Sequence, residues 1–191
     1  MENRPRLILV SGRPGSGKTT LARRLVAEDA LWLPLVASDP IRVGLLTTLG
    51  VVDDDAEQAV ATRRTTIETF YDTIALLISR GVSLVAELSF RRGLDERRLL
   101  PLLDRAALVN VHCQTSLAEA QRRFIAREPT RRPVKSAASF IALMEAGTFD
   151  WSPFDPLDLA IPRVVVDTTH GYAPDLAAIT AFCLGDHTAS R

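Results

Sequence analysis

The segment Gly12-Arg13-Pro14-Gly15-Ser16-Gly17-Lys18-Thr19 constrains this chain more than any other. It runs glycine, four residues, glycine, lysine and a hydroxyl residue, the pattern of a loop that cradles phosphates. Glycines permit backbone conformations closed to other residues, so successive N–H groups can curl around an anion instead of pairing with each other. Average residue usage gives roughly 0.006 chance matches in a chain this long. The flanks fit the same reading. Leu7 to Val10 is an all-apolar run, as in a strand buried on both faces of a parallel sheet, and Leu21, Leu25 and Val26 follow at helical spacing. The helix would aim its positive end at the anion, Lys18 would reach the β and γ phosphates, and the Thr19 hydroxyl would coordinate Mg²⁺.

The remaining pattern alternates in the same way. Further strands are expected at the apolar runs Leu35 to Ala37 and Val82 to Ala86, and at Leu108 to Cys113 and Arg163 to Asp167. Helical spacing is expected after Pro40, over Asp53 to Arg80, Leu94 to Leu103, Ser116 to the break at Pro129, Ser136 to Ala146, and Pro174 to Leu184. Asp54 with Glu57 and Ser116 with Glu119 have capping-box spacing. Gly147 to Pro162, with Pro153, Pro156, Trp151 and Phe154, reads as a long irregular loop that plugs the core or walls a pocket. Five buried strands alternating with helices imply an α/β three-layer sandwich in one domain, residues 1–191, with a lid segment around 122–135.

Composition excludes several classes. A chain of 191 residues with 47% hydrophobic and 24% charged residues has material for a real core. Lys plus Arg and Asp plus Glu number 23 each, so no overall basic field recruits nucleic acid or an anionic membrane. Cys113 and Cys183 fit no metal-ligand spacing, and no apolar run approaches about 18 residues. A reducing cytoplasm and a soluble chain are expected.

Several side chains are candidates for chemistry on the phosphate donor. Asp39 follows the second strand at the edge that holds the loop, where a carboxylate takes the proton of an attacking hydroxyl or simply caps the helix opened by Pro40. Arg42, one turn later, faces the same way and could hold an anionic acceptor or be solvated. Glu87 ends the third strand, where a carboxylate holds Mg²⁺ through water, contacts the acceptor, or is an exposed strand end. Arg91 and Arg92 follow it, as acceptor or phosphate ligands or as a solvated loop. Arg123, Arg127 and Arg131 share one face of a continuing helix, flanked by Arg122 and Arg132, and would steady a developing phosphoryl charge or form a basic surface. His112 reads as a packed histidine, Asp53 to Asp55 as helix capping, and His170 as part of a turn near a possible adenine site.

Gly12 to Thr20, Ser38-Asp39-Pro40-Ile41-Arg42, Glu87 and the arginines from Arg122 to Arg132 together resemble the small P-loop kinases grouped around polynucleotide kinase, chloramphenicol phosphotransferase, gluconate kinase and zeta toxin. The resemblance implies strand order 2-3-1-4-5, with Asp39 as general base, Arg42 as a substrate ligand, and Arg123 and Arg127 as the acting lid arginines. Glu87 is closer to the zeta-toxin pattern, in which a glutamate faces the acceptor. Gly12, Arg13, Pro14, Gly15, Ser16, Gly17, Lys18, Thr19 and Thr20 would bind the nucleotide, and Asp39, Arg42, Glu87 and Arg91 the acceptor. No Asn-Lys-x-Asp guanine motif occurs, which favours ATP. The expected activity is transfer of the γ-phosphate of ATP to a hydroxyl of a small molecule, with Mg²⁺. A 5′-hydroxyl polynucleotide kinase and a non-kinase, ATP-hydrolysing switch are the alternatives.

Overall fold

Leu7, Ile8, Leu9 and Val10 are fully buried, which places the strand β1 (Arg6–Gly12) at the centre of a sheet with no solvent on either face. Four more strands flank it: β2 (Leu35–Ala37), β3 (Leu84–Glu87), β4 (Ala107–Gln114) and β5 (Arg163–Asp167). The computed structural model describes residues 4–27, 31–49, 56–127 and 138–185. All pairings are parallel and the order is β2-β3-β1-β4-β5, as the resemblance implies.

Helices cover both faces. On one side Leu7, Leu9, Leu84 and Leu108 pack against Phe70, Ile74 and Ile78 of α3 (Ala56–Ser79) and against Leu99 of α4 (Glu96–Leu99). On the other, Ile8, Val10, Val85 and Val109 meet Leu21 and Leu25 of α1 (Lys18–Ala27) and Ile179 and Cys183 of the C-terminal helix (Leu176–Leu184). Alternate residues of β1 therefore feed two separate cores, which is the three-layer arrangement. Among the described residues the remaining α-helices are α2 (Ser38–Leu49), α5 (Leu117–Ala126) and α6 (Ala138–Glu145), so the C-terminal one is numbered α7. A small third cluster joins Phe124 of α5 to Met144 of α6, with Phe149 and Trp151 against it.

Some boundaries differ from the sequence expectation for identifiable reasons. β3 runs Leu84–Glu87, so Glu87 lies within the ladder, paired with both Val10 and Ala37. The segment from Leu94 to Leu103 divides into α4 and a 3-10 turn at Leu100–Leu102, because Pro101 has no N–H to give to an α ladder. α7 begins at Leu176, where the Asp175 carboxylate accepts the Ala178 N–H at 2.8 Å. At α5 the Ser116 hydroxyl accepts the Glu119 N–H, but the Glu119 carboxylate turns to Arg122 and Arg123 instead of closing the capping box. The Asp53 to Asp55 run, the basic turn from Thr130 to Pro133, and Arg131 and Arg132 lie outside the described residues. Among the described residues no helix is long and apolar enough to cross a membrane.

Candidate active site

The C-terminal ends of β1, β3 and β2 lie side by side, and each delivers one part of the site. Register sets Val10 beside Glu87 and Glu87 beside Ala37, so the loop after β1, the end of β3 and the start of α2 share one edge. Ligands of open parallel sheets bind at that edge.

The phosphate loop is built by exclusion as much as by attraction. Gly15 has φ +84°, and a Cβ there would stand 2.0 Å from the Ala120 carbonyl oxygen of α5. Gly12, at φ +135°, would collide with the Cys113 carbonyl at 2.3 Å. Only glycine permits the loop to press this closely on β4 and α5. Thr168, just beyond β5, donates its hydroxyl to the Ser16 carbonyl at 2.8 Å and ties the loop to the sheet. Arg13 is held outward by Asp155 at 2.7 Å, which links the loop to the segment carrying Phe154. The Ser16 hydroxyl is buried without a hydrogen-bond partner, a donor left for a phosphate oxygen.

Beneath the loop a polar chain replaces apolar packing. Asn110 donates to the Leu9 carbonyl at 3.0 Å and to the Ser11 hydroxyl at 2.8 Å, and Ser11 lies 3.0 Å from His112 Nδ1. His112 is buried, and desolvation, with Arg163 and Arg13 nearby, pushes its pKa down to about 4. The imidazole is therefore neutral at pH 7, the packed histidine that its strand position implies.

Lys18 and Glu87 are only 5% and 3% exposed, and their charged atoms lie 3.8 Å apart. Burial at the base of the site rules out the exposed strand end as a reading of Glu87. Desolvation lowers the pKa of Lys18, Glu87 opposes that fall, Arg127 adds to it, and Asp39 opposes it in turn. These four side chains thus share one electrostatic neighbourhood. They line a single cavity of about 170 Å³ with Thr19, Ser38, Arg42, Arg91 and Phe154. Asp39 is partly buried in the first turn of α2, one residue inside the helix, with Arg42 one turn on.

The two expected lid arginines part company. α5 ends at Ala126 and Arg127 caps it, so Arg127 reaches the cavity beside Lys18. Arg123 binds the carbonyls of Thr168 and Thr169 and the Glu119 carboxylate, and lines a second cleft with Gly17, Thr20, Arg24, His170 and Tyr172. Arg122 is exposed, and its hydrogen bonds, followed by those of Arg123, hold Glu119 down to about 2. Arg92 does not line the cavity, although its N–H donates to the Pro153 carbonyl.

Several lining residues escaped the sequence reading, among them Arg63 and Thr66 of α3, Asp95, and Phe140 of α6. Asp95 is buried, accepts the Arg91 N–H at 2.6 Å, and is raised by desolvation above the usual carboxylate range. Arg63 and Thr66 sit three apart, hence on one face of α3, but nothing in the helix periodicity says which polar face turns inward. All-oxygen donors from Thr19, Asp39 and Glu87 around one cavity suit a hard cation such as Mg²⁺.

Comparison with known proteins agrees with this geometry. An AAA domain family model, AAA_33, matches residues 7–146. No curated protein matches the chain in sequence. Among solved structures, a protein of provisional kinase assignment from Chloroflexus aurantiacus J-10-fl is 29% identical, covers 97% of this chain and 99% of its own, and superposes with a TM-score of 0.78. A sugar kinase from Janibacter sp. HTCC2649 is 17% identical, with 98% and 99% coverage and a TM-score of 0.61. An APS kinase from Mycobacterium tuberculosis is 18% identical, with 97% and 99% coverage and a TM-score of 0.58. The last two share the fold, while the family match and the first neighbour support a nucleotide-dependent phosphotransferase. Matched over 7–146, from β1 through α6, the chain belongs to the AAA domain family AAA_33 and to the group of small P-loop kinases.

Proposed function

We propose that the protein is a kinase that transfers the γ-phosphate of ATP to a hydroxyl of a small molecule. The observation that carries this reading is the convergence of Lys18, Glu87, Arg127 and Asp39 on one cavity at the mouth of the phosphate loop. A hydrolytic switch also carries a strand-end carboxylate at the phosphate loop, so the kinase reading rests on the second carboxylate, Asp39 in the first turn of α2, which lines the same cavity.

The loop amides, the Ser16 hydroxyl and Lys18 bind the triphosphate, and the N-terminus of α1 adds its dipole. Thr19, with Glu87 and Asp39 nearby, would hold Mg²⁺, which supplies charge neutralisation between the β and γ phosphates. The acceptor hydroxyl oxygen attacks the γ-phosphorus, a new P–O bond forms, and the bond to the β–γ bridging oxygen breaks with its electron pair leaving on ADP. Asp39 takes the hydroxyl proton. Arg127 lies where it can meet charge on the transferred group. The cleft of Gly17, Thr20, Arg24, Arg123 and Tyr172, beside His170, suits the adenine base, with Arg24 stacked over Tyr172 at 5.7 Å. Two buried free thiols and an ATP requirement accord with a cytoplasmic enzyme.

The test is transfer of labelled γ-phosphate to a library of hydroxyl compounds, with Asp39→Asn alongside. Loss of a general base lowers kcat by about 10²–10⁴-fold. The expected result is a labelled product that disappears in the variant while ATP affinity is kept. Full transfer by Asp39→Asn would remove Asp39 from the chemistry, and release of free phosphate alone, unchanged by the variant, would favour the switch.

A further inference from the structure

Resting on that reading, we infer that the acceptor carries an oxyanion, a carboxylate, sulfate or phosphate, which Arg42, Arg63 and Arg91 hold at the end of the cavity away from the phosphate loop. Three guanidinium side chains reach this one cavity from three elements: α2, the N-terminal third of α3, and the segment after β3. Sequence separation gives no reason for them to meet, and like charges brought together oppose folding. Their convergence gives one cavity a wall of three guanidinium groups, which suits an oxyanion.

The charges of the cavity divide into two neighbourhoods. Those acting on Lys18 come from Glu87, Arg127 and Asp39. Those acting on Arg63 come from Arg91, Arg42 and Asp95. Desolvation and the two arginines both weaken the hold of Arg63 on its proton, and only Asp95 opposes them. Asp95 is a single carboxylate beside three cations, and one of its oxygens already accepts the Arg91 backbone N–H at 2.6 Å. Among the described residues, the lining holds five cationic side chains and three carboxylates. Once a triphosphate draws on Lys18 and Arg127, the acceptor end keeps three arginines against Asp39 and Asp95.

Shape agrees with charge. Arg63 lies over the Phe140 ring at 5.8 Å, a cation–π contact between two side chains that both line the cavity. Planar guanidinium forks match the paired oxygens of carboxylate, sulfate and phosphate. Arg42 stands one helical turn from Asp39, so an acceptor anchored there by its anion presents a neighbouring hydroxyl to the base. The same field steers anionic acceptors toward the site in preference to neutral ones.

Two linked measurements test this. With the full chain saturated by AMP-PNP and Mg²⁺, thermal-shift titrations use inorganic sulfate, inorganic phosphate and glycerate, each against sodium chloride at matched ionic strength. Labelled phosphate transfer is then measured on matched pairs: glycerate and glycerol, gluconate and glucose, a sugar phosphate and its parent sugar. The expected result is saturable stabilisation by the oxyanions, weakened about tenfold or more in Arg63→Gln and in Arg91→Gln. It should be unchanged in Arg97→Gln, which alters an exposed residue outside the cavity. The anionic member of a pair should have the higher kcat/KM, and the preference among the pairs identifies which oxyanion is meant. Oxyanions that act no better than chloride, or neutral members phosphorylated as efficiently as anionic ones, would overturn the inference while leaving a kinase. Arg63-dependent oxyanion binding with no transfer to any pair would uphold the anion site and remove the kinase reading.

Discussion

Glu87→Gln separates the electrostatic role of Glu87 from its shape. The Lys18 ammonium and the Glu87 carboxylate lie 3.8 Å apart, both almost without solvent. At an effective dielectric of about 20 that separation corresponds to roughly 4 kcal/mol of attraction. Removing one partner of a buried pair typically costs about 3–5 kcal/mol, because the other charge stays buried alone. Glutamine keeps the volume and loses only the charge, so the nucleotide-free variant should melt about 10 °C lower, at roughly 2–4 °C per kcal/mol for a domain of this size. The lost carboxylate also removes the largest of the influences that raise the Lys18 pKa, already lowered by burial, so the alkaline limb of kcat/KM should move to lower pH. Bound triphosphate replaces the missing negative charge. The melting gap between variant and wild type should therefore narrow in the presence of AMP-PNP and Mg²⁺. Circular-dichroism melts with and without nucleotide measure both quantities. A variant that melts within about 2 °C of wild type without nucleotide, or a gap that nucleotide leaves unchanged, would refute the claim that this pair sustains the charge of Lys18.

Two further outcomes concern the loop and its support. Gly15→Ala should abolish AMP-PNP binding in a calorimetric titration, since its Cβ would stand 2.0 Å from backbone of α5; Gly81→Ala, also at positive φ but in open space, should cost about 1 kcal/mol and leave binding unchanged. His112 binds its proton with a pKa of about 4 in the folded chain against about 6.5 unfolded, so the unfolded state holds the extra proton in that window. Stability from neutral His112, full above pH 6.5, should fall by about 3 kcal/mol as pH drops to 4, and urea midpoints across that range should decline less steeply in His112→Gln. Equal slopes would show that His112 is not buried as its hydrogen bonds indicate.

Much of this molecule is legible in its sequence because the signals are local. A strand buried on both faces announces itself as the apolar run Leu7 to Val10, and the turn that follows needs glycine where φ is positive and neighbours are close. Asp39 and Glu87 could be singled out because parallel strands deliver their C-terminal residues to a common edge, so position along a strand already implies position in the site. Arg123 and Arg127 show where that logic stops. Spacing by four puts them on one helix face, but α5 ends between them, and the carbonyls of Thr168 and Thr169, contributed by the turn after β5, draw Arg123 to the second cleft.

The layered α/β architecture, the phosphate loop and the carboxylates at the sheet edge follow from residue type at short range, which is why they can be read before any packing is known. Tertiary structure alone decided that Glu87 is a buried partner of Lys18, that the loop is braced by Thr168 and Asp155, and that Arg63 and Asp95 enter the cavity. Those facts depend on which face of a 24-residue helix turns inward and on how distant loops close over the sheet. Such choices are made by packing among elements far apart in the chain, and no single segment encodes them.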